Sequence, residues 1–225
     1  MPNRSLALFD LDNTLIPFDS DHAWGEFCVH LGWADGERYR QENDRFYAAY
    51  RAGTLDLGAY LRFSLAPLVG RSPEALEAAH HAFMQNVVLP QIRPQAINLV
   101  QKHQRNGDLC AIVTATNDFV TGPIAKAFGV DHLIAVQAER DAAGCYTGGW
   151  VGIPSFREGK IARTEQWLAA QGLGWVSFTQ TWFYSDSIND QSLLERVTHP
   201  VVVHPDPKLA DVAHRHGWPV LDLFP

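Results

Sequence analysis

No run of about 18 uncharged apolar residues occurs in this sequence, so no helix is expected to cross a bilayer. Cysteine is scarce: Cys28, Cys110 and Cys145 are odd in number and far apart. That excludes a disulfide framework and the CxxC spacing of a structural zinc site. The ten histidines make no HxH or HExxH pattern. Basic residues number 18 against 25 acidic ones, with no basic cluster. At a formal charge of −7 the chain has no means of neutralising a nucleic-acid backbone or an anionic membrane surface. A small phosphate ligand needs only one local positive pocket and stays open. The opening Met1-Pro-Asn-Arg has no apolar signal region, so a cytoplasmic protein is expected.

What is present suits a packed core. Hydrophobic residues make up 46% of the 225 and charged residues 19%, which fits one domain with an insertion. Ser5 to Phe9 is a short apolar run that reads as a buried strand ending at Asp10-Leu-Asp12. Helical spacing follows in Trp24, Phe27, Cys28 and Leu31, in Tyr39, Phe46 and Tyr50, and in Leu57, Tyr60, Leu61, Leu65 and Leu68. Ser72-Pro73-Glu74 places a cap and a first-turn proline at the start of a helix running towards Val88. After Pro90 the style changes. Helices are expected from Pro94 to Gln104, Gly122 to Phe128, Lys160 to Gln171 and Gln191 to Val197. Strands are expected at Leu109 to Val113, ending at Thr114, and at Leu133 to Val136, Thr181 to Tyr184 and Pro200 to Val203. The glycine-rich Gly144 to Gly152 reads as a hairpin or flap. This alternation predicts a three-layer, Rossmann-like α/β core with a parallel sheet. The helical stretch of roughly 70 residues is too long for a connection and predicts an inserted all-helical domain. The core would span residues 1–16 and 91–225, and the insertion 17–90.

In open parallel sheets ligands bind beyond the carboxyl ends of the strands. There the sequence puts Asp10 and Asp12, Thr114, and Asp186 with Asp190, while Lys160 opens a helix. Carboxylates at i and i+2 can sit about one hard cation, and Mg²⁺ takes such oxygens together with water and phosphate. A hydroxyl and a lysine beside it would hold phosphate oxygens. Each residue also has a plainer use. Asp10 and Asp12 can cap a turn, Thr114 can be an ordinary strand-end hydroxyl, and Lys160 can be solvated. Asp190 can cap the Gln191 helix. Thr14 is read as stabilising the turn after Asp12.

Four segments decide between these uses: FDLDNTL (Phe9 to Leu15), IVT (Ile112 to Thr114), REGK ending at Lys160, and YSDSIND (Tyr184 to Asp190). In this order they resemble the four motifs of the haloacid dehalogenase-like phosphohydrolases, and in particular the phosphoserine phosphatase branch with its helical cap. The resemblance covers nearly the whole chain. It implies a phosphatase acting on a small phosphorylated metabolite, as monomer or homodimer, with Mg²⁺ as cofactor. Asp10 would be the nucleophile that becomes an aspartyl phosphate, and Asp12 the acid and then the base. Mg²⁺ would be held by Asp10, the backbone carbonyl of Asp12, and Asp186. Thr114, Lys160 and Asn189 would bind the phosphoryl group, and Asp190 would orient Lys160 or a metal-bound water.

For the cap, the resemblance places the acid that meets a substrate ammonium on Asp19, with Asp21 as the alternative. It places the arginine that meets a substrate carboxylate on Ser64. Arg62, two positions away, faces about 200° around the helix. With that arginine missing, an amino-alcohol phosphate such as histidinol phosphate or phosphoethanolamine fits better than phosphoserine. A phosphoserine phosphatase, or a phosphotransferase or mutase of the same superfamily, is the alternative. A phosphorylatable receiver module has its acidic residues in another order and no insertion, and a non-catalytic relative would be expected to lack Asp10 or Asp12. Trp24 and Phe27 are read as cap core, and His22 as non-catalytic. His80, His81, His214 and His216 are read as surface residues. Arg157 is read as solvated.

Overall fold

A computed structural model describes residues 4–225, so the opening Met1-Pro-Asn, which entered the expectation about a leader, lies outside the described residues. The apolar run forms β1 (Ser5–Phe9), buried from Leu6 onward. Four helices follow: α1 (Ser20–His30), α2 (Gly36–Ala52), α3 (Leu57–Leu65) and α4 (Pro73–Phe83). The Ser72 side chain caps α4 by accepting from the Ala75 N–H at 3.2 Å. Beyond Phe83 the helix widens into a π turn over Met84–Val88. Then come α5 (Pro94–Arg105), β2 (Leu109–Asn117), α6 (Asp118–Ala127), β3 (His132–Arg140) and β4 (Tyr146–Val151). The chain ends with α7 (Glu158–Ala170), β5 (Gln180–Ser185), α8 (Gln191–Arg196), β6 (His199–Val203), α9 (Pro207–His216) and β7 (Val220–Leu221).

The strands form one sheet in the order β4-β3-β2-β1-β5-β6-β7. All neighbours pair parallel except β3 and β4, the glycine-rich hairpin at one edge. Several elements differ from expectation, among them β3, which runs past Val136 to Arg140. Strand β2 does not stop at Thr114 but runs to Asn117, with a register shift between Val113 and Asn117. Helix α6 then starts at once, because the Asn117 side chain accepts from the Val120 N–H at 3.1 Å. Strand β7 is two residues long and carries no periodic signal.

Alternation along β1 assigns the two faces of the sheet. Leu6 and Leu8 pack with Leu168, Leu193 and Leu209 of α7, α8 and α9. Ala7 and Phe9 share a cluster with Val100 of α5, Ile124 of α6, and Trp24 and Phe83 of the inserted helices. The insertion is thus joined to one face of the sheet by continuous apolar packing. Helices α1 and α2 approach closely: a Cβ on Gly25 would stand 2.7 Å from Asn43 Nδ2, which donates to the His22 carbonyl at 2.9 Å. His80, expected at the surface, is buried, with its ring 4.7 Å from Phe119. It lies in phase with Leu76, Ala79 and Phe83, the i, i+3, i+4, i+7 stripe of α4, whereas His81 falls outside that stripe and is exposed. His214 and His216 are exposed.

Trp24 anchors the insertion. It is 1% exposed, and its ring centroid lies 5.2 Å from Phe83 and 5.3 Å from Phe119. Its indole Nε1 has no hydrogen-bond partner among the described residues. Trp24→Ala is expected to lower unfolding free energy by about 3–5 kcal/mol through the cavity it leaves. Trp24→Phe should cost clearly less, because it keeps an aromatic ring and removes an unsatisfied donor. Urea unfolding followed by circular dichroism checks this; equal losses for both variants would refute ring packing as the cause.

Candidate active site

Asp10 follows β1 directly, between β2 and β5, where the strand order reverses. Its N–H donates to the Tyr184 carbonyl at 2.9 Å, extending the ladder to β5 by one bond. The chain then turns sharply. The Leu15 N–H reaches the Leu11 carbonyl at 2.8 Å, and Asn13 takes φ 55°, which asparagine tolerates better than most residues. This turn brings the Thr14 hydroxyl to 3.3 Å from both Asp10 Oδ2 and Asp186 Oδ1. Asp186 follows β5, so two strand ends deliver two carboxylates to one hydroxyl.

Lys160 closes the other side. Its Nζ donates to Asp10 Oδ1 at 2.8 Å and to Asp190 Oδ2 at 2.7 Å. The ammonium is buried, and Gly159 makes its approach possible: a Cβ there would fall 2.1 Å from the Pro154 carbonyl oxygen. Asp190 stands at the N-cap position of α8 but makes no capping bond with its side chain. Its Oδ2 instead accepts from Lys160 and from Ser185 Oγ, the latter at 2.7 Å. Asp12 is held by two donors, the Ser20 N–H and Thr116 Oγ1, each at 2.8 Å. The Thr114 hydroxyl accepts from the Thr116 N–H at 3.1 Å and lines the same cavity as Asp10 and Asp12.

Charge is unevenly matched here. Burial works against the Lys160 ammonium, but Asp10 and Asp190 outweigh it and raise its pKa. Burial also pushes the carboxyls of Asp12 and Asp190 up to about 6. Asp186 is held well above the usual carboxylate range by burial, and then by the charges of Asp10 and Asp190. Lys160 therefore leaves acid uncompensated around Asp10 and Asp186. Among the described residues no three histidine, cysteine, aspartate or glutamate side chains form a metal cage. Two converging carboxylates with excess charge instead fit a hard cation that fills its shell with carbonyl, water and phosphate oxygens.

Above Asp10 and Asp12 lies a cavity walled mainly by the inserted helices. Asp19, His22, Asn43, Tyr47, Tyr50 and Tyr60 line it, with Phe46 and Phe156 adding aromatic surface. No arginine or lysine is among its lining residues. Asp19 faces the cavity, and it also caps α1, its Oδ1 accepting from the His22 N–H at 2.8 Å. Burial pushes its carboxyl up to about 6. Asp21, the alternative acid, is already engaged by Tyr60 Oη and by Asn117 Nδ2.

The structure corrects two readings. Ser64 does not line the cavity: it is buried in α3, one turn beyond Tyr60, and its hydroxyl has no partner among the described residues. A helical turn advances about 5.4 Å, which carries Ser64 past the cavity. Arg157 is half-buried and engaged rather than free in solvent: it donates to Asn189 Oδ1 at 3.1 Å and to the Gly53 carbonyl at 2.6 Å. Asn189 is brought near the site, but its amide donates to the Tyr50 carbonyl at 3.3 Å. Sequence reasoning missed Thr116, whose only signal was its place two residues past Thr114. Phe46, Tyr50 and Tyr60 carry only a helical-spacing signal in the sequence, which does not reveal the cavity they enclose.

A curated relative from Neisseria meningitidis serogroup C, named histidinol-phosphatase, is 45% identical over 98% of this chain and 99% of its own length. A probable phosphatase of Mycobacterium tuberculosis is 29% identical over 98% of this chain and 76% of its own. Among solved structures, a Bordetella pertussis protein of unknown function superposes with a TM-score of 0.93 at 49% identity, covering 99% of this chain and all of that one. A substrate-bound phosphoserine phosphatase shares the fold at a TM-score of 0.67 and 19% identity, covering 94% and 91% of the two chains. Residues 7–195 match the haloacid dehalogenase-like hydrolase family. The chain belongs to that family and, within it, to the phosphatases.

Proposed function

We propose that the chain is a Mg²⁺-dependent histidinol phosphatase that works through an aspartyl phosphate on Asp10. In this reading residues 17–90 are the cap over a core of 1–16 and 91–225, and the three free cysteines suit a reducing cytoplasm. The observation that carries the substrate is the cavity wall: acidic and aromatic, with no arginine or lysine. An ammonium finds Asp19 there, and a flat ring finds Phe46, Tyr47, Tyr50 and Phe156. The carboxylate of phosphoserine finds no bidentate partner, which disfavours it. The Neisseria relative's name supports the same substrate.

Asp10 attacks phosphorus with a carboxylate oxygen as the ester P–O bond breaks. Asp12, aligned by Ser20 and Thr116, gives its proton to the departing alkoxide. It then takes a proton from water, whose oxygen attacks phosphorus, and the bond to Asp10 breaks to leave inorganic phosphate and free enzyme. Thr114 and Lys160 hold the phosphoryl oxygens, and Asp190 keeps Lys160 in place. Asp10, Asp186 and the carbonyl of Asp12 would hold Mg²⁺, which offsets the negative charge gathered on the phosphoryl group.

Phosphate release from histidinol phosphate, phosphoethanolamine and phosphoserine tests the reading. The highest kcat/KM is expected for histidinol phosphate, and a preference for phosphoserine would overturn the assignment. Removing metal with EDTA should abolish turnover, and added Mg²⁺ should restore it. Asp10→Asn is nearly isosteric and should fold, yet lose at least about 10³-fold in kcat, some 4 kcal/mol of transition-state stabilisation. Near wild-type phosphate release by that variant would remove Asp10 as nucleophile.

Asp19→Asn separates recognition from chemistry. It should lower kcat/KM for amino-alcohol phosphates by about 10- to 100-fold, the loss of one charge-assisted contact of ~1.5–3 kcal/mol. Nitrophenyl phosphate, which has no ammonium, should change far less. An equal loss for both esters would make Asp19 a helix cap alone.

A further inference from the structure

The last turn of α2 ends against side chains of the sheet-bearing part of the chain. A helix C-terminus leaves carbonyls without intrahelical partners. Three carbonyls here are met from outside. Asn189 Nδ2 donates to Tyr50 O at 3.3 Å, Lys208 Nζ to Ala52 O at 3.2 Å, and Arg157 Nη2 to Gly53 O at 2.6 Å. Gly53 closes the helix in the left-handed region at φ 77°. Through Nε the same guanidinium donates to Asn189 Oδ1 at 3.1 Å, so one planar fork joins α2 to the loop after β5. Arg157 itself is held at φ 51°, a conformation that non-glycine residues seldom adopt. Its neighbour Phe156 lines the cavity and lies 6.1 Å from the Tyr50 ring.

We infer that Arg157 is a positioning residue, a latch that holds α2 against the sheet-bearing part and so keeps the cavity closed over the leaving group. When α2 lifts, the Gly53 carbonyl and the Asn189 amide lose their partners together, while the Tyr50 carbonyl keeps only its bond from the Gly53 N–H. A substrate whose leaving group touches Phe46, Tyr47 and Tyr50 favours the seated state, since it contacts α2 only there. An ester too small to reach those rings gains little from closure. The choice of histidinol phosphate as the large substrate rests on the function proposed above; the latch does not.

The test compares Arg157→Ala, Arg157→Lys and Arg157→Gly by hydrogen exchange and by kinetics with histidinol phosphate and acetyl phosphate. In Arg157→Ala, amides around Tyr50 to Leu57 should exchange faster while the rest of the protein is unchanged. Its kcat/KM for histidinol phosphate should fall about 10- to 100-fold, chiefly in KM, with acetyl phosphate within about threefold. Arg157→Lys should recover part of the loss, because one ammonium can reach Gly53 but cannot also bridge to Asn189. Arg157→Gly should behave like Arg157→Ala. If glycine restores wild-type behaviour, backbone strain at this position was the cause and the latch is wrong. It is equally wrong if alanine leaves exchange in α2 unchanged. Exchange requires no substrate, so it still decides the question if histidinol phosphate is not hydrolysed.

Discussion

The Lys160 ammonium has 1% of its side chain exposed, and a charge removed from water that far must find fixed partners or be lost. Asp10 and Asp190 supply them at 2.8 and 2.7 Å, and much of the surrounding chain serves that arrangement. Gly159 lets the start of α7 close on Pro154. Ser185 fixes the carboxylate of Asp190. The β1 strand end sets Asp10 opposite, and its bond to Tyr184 ties that position to β5. Removing either carboxylate would leave the buried lysine underpaired. The ion pair is therefore best understood as holding Asp10 in place, with any gain in stability secondary.

The same pair leaves a charge problem that points to the reaction. One lysine cannot neutralise Asp10, Asp186 and Asp190 together, and burial, with the charges of Asp10 and Asp190 adding to it, holds Asp186 well above the usual carboxylate range. A phosphate dianion entering such a place would be repelled. Asp10 and Asp186, which the Thr14 hydroxyl already bridges, would hold a divalent cation that would lower this repulsion. With such a cation bound, an acidic site could accept an anion, Lys160 holding Asp10 through its other carboxylate oxygen.

The sheet core was legible because its signals are local. Buried parallel strands are short apolar runs, and strand ends in such sheets expose polar residues in chain order. Asp10, Asp12, Thr114, Asp186 and Asp190 could be named as candidates on that basis, whereas Lys160, at a helix start, was singled out only by the order of the four motifs. The errors came where long-range packing decides. His80 is polar in type, but α4 turns it onto Phe119. Ser64 was placed by counting along a helix whose register against the cavity the sequence does not state. Arg157 looks like a solvated residue until the C-terminus of α2, some hundred residues earlier in the chain, is folded beside it. Thr116 became visible only once β2 was seen to run past Thr114.

The helical insertion uses the C-terminal half of α2 for two purposes. Phe46, Tyr47 and Tyr50 present rings to the cavity, while the carbonyls of Tyr50, Ala52 and Gly53 meet Asn189, Lys208 and Arg157. Recognition and closure therefore lie on the same rigid element, little more than one turn apart. A ligand that draws the rings inward also seats the carbonyls on their donors. One that clashes with the rings lifts the carbonyls away. With the latch proposed for Arg157, discrimination between leaving groups would not require a contact to each wrong substrate, because a poor fit at Tyr50 would work against the seated state of α2. Tyr50 belongs to both sets, with its ring in the cavity wall and its carbonyl on Asn189, next to the residue that holds Lys160. Through it the fit of the leaving group bears on the loop that carries the chemistry.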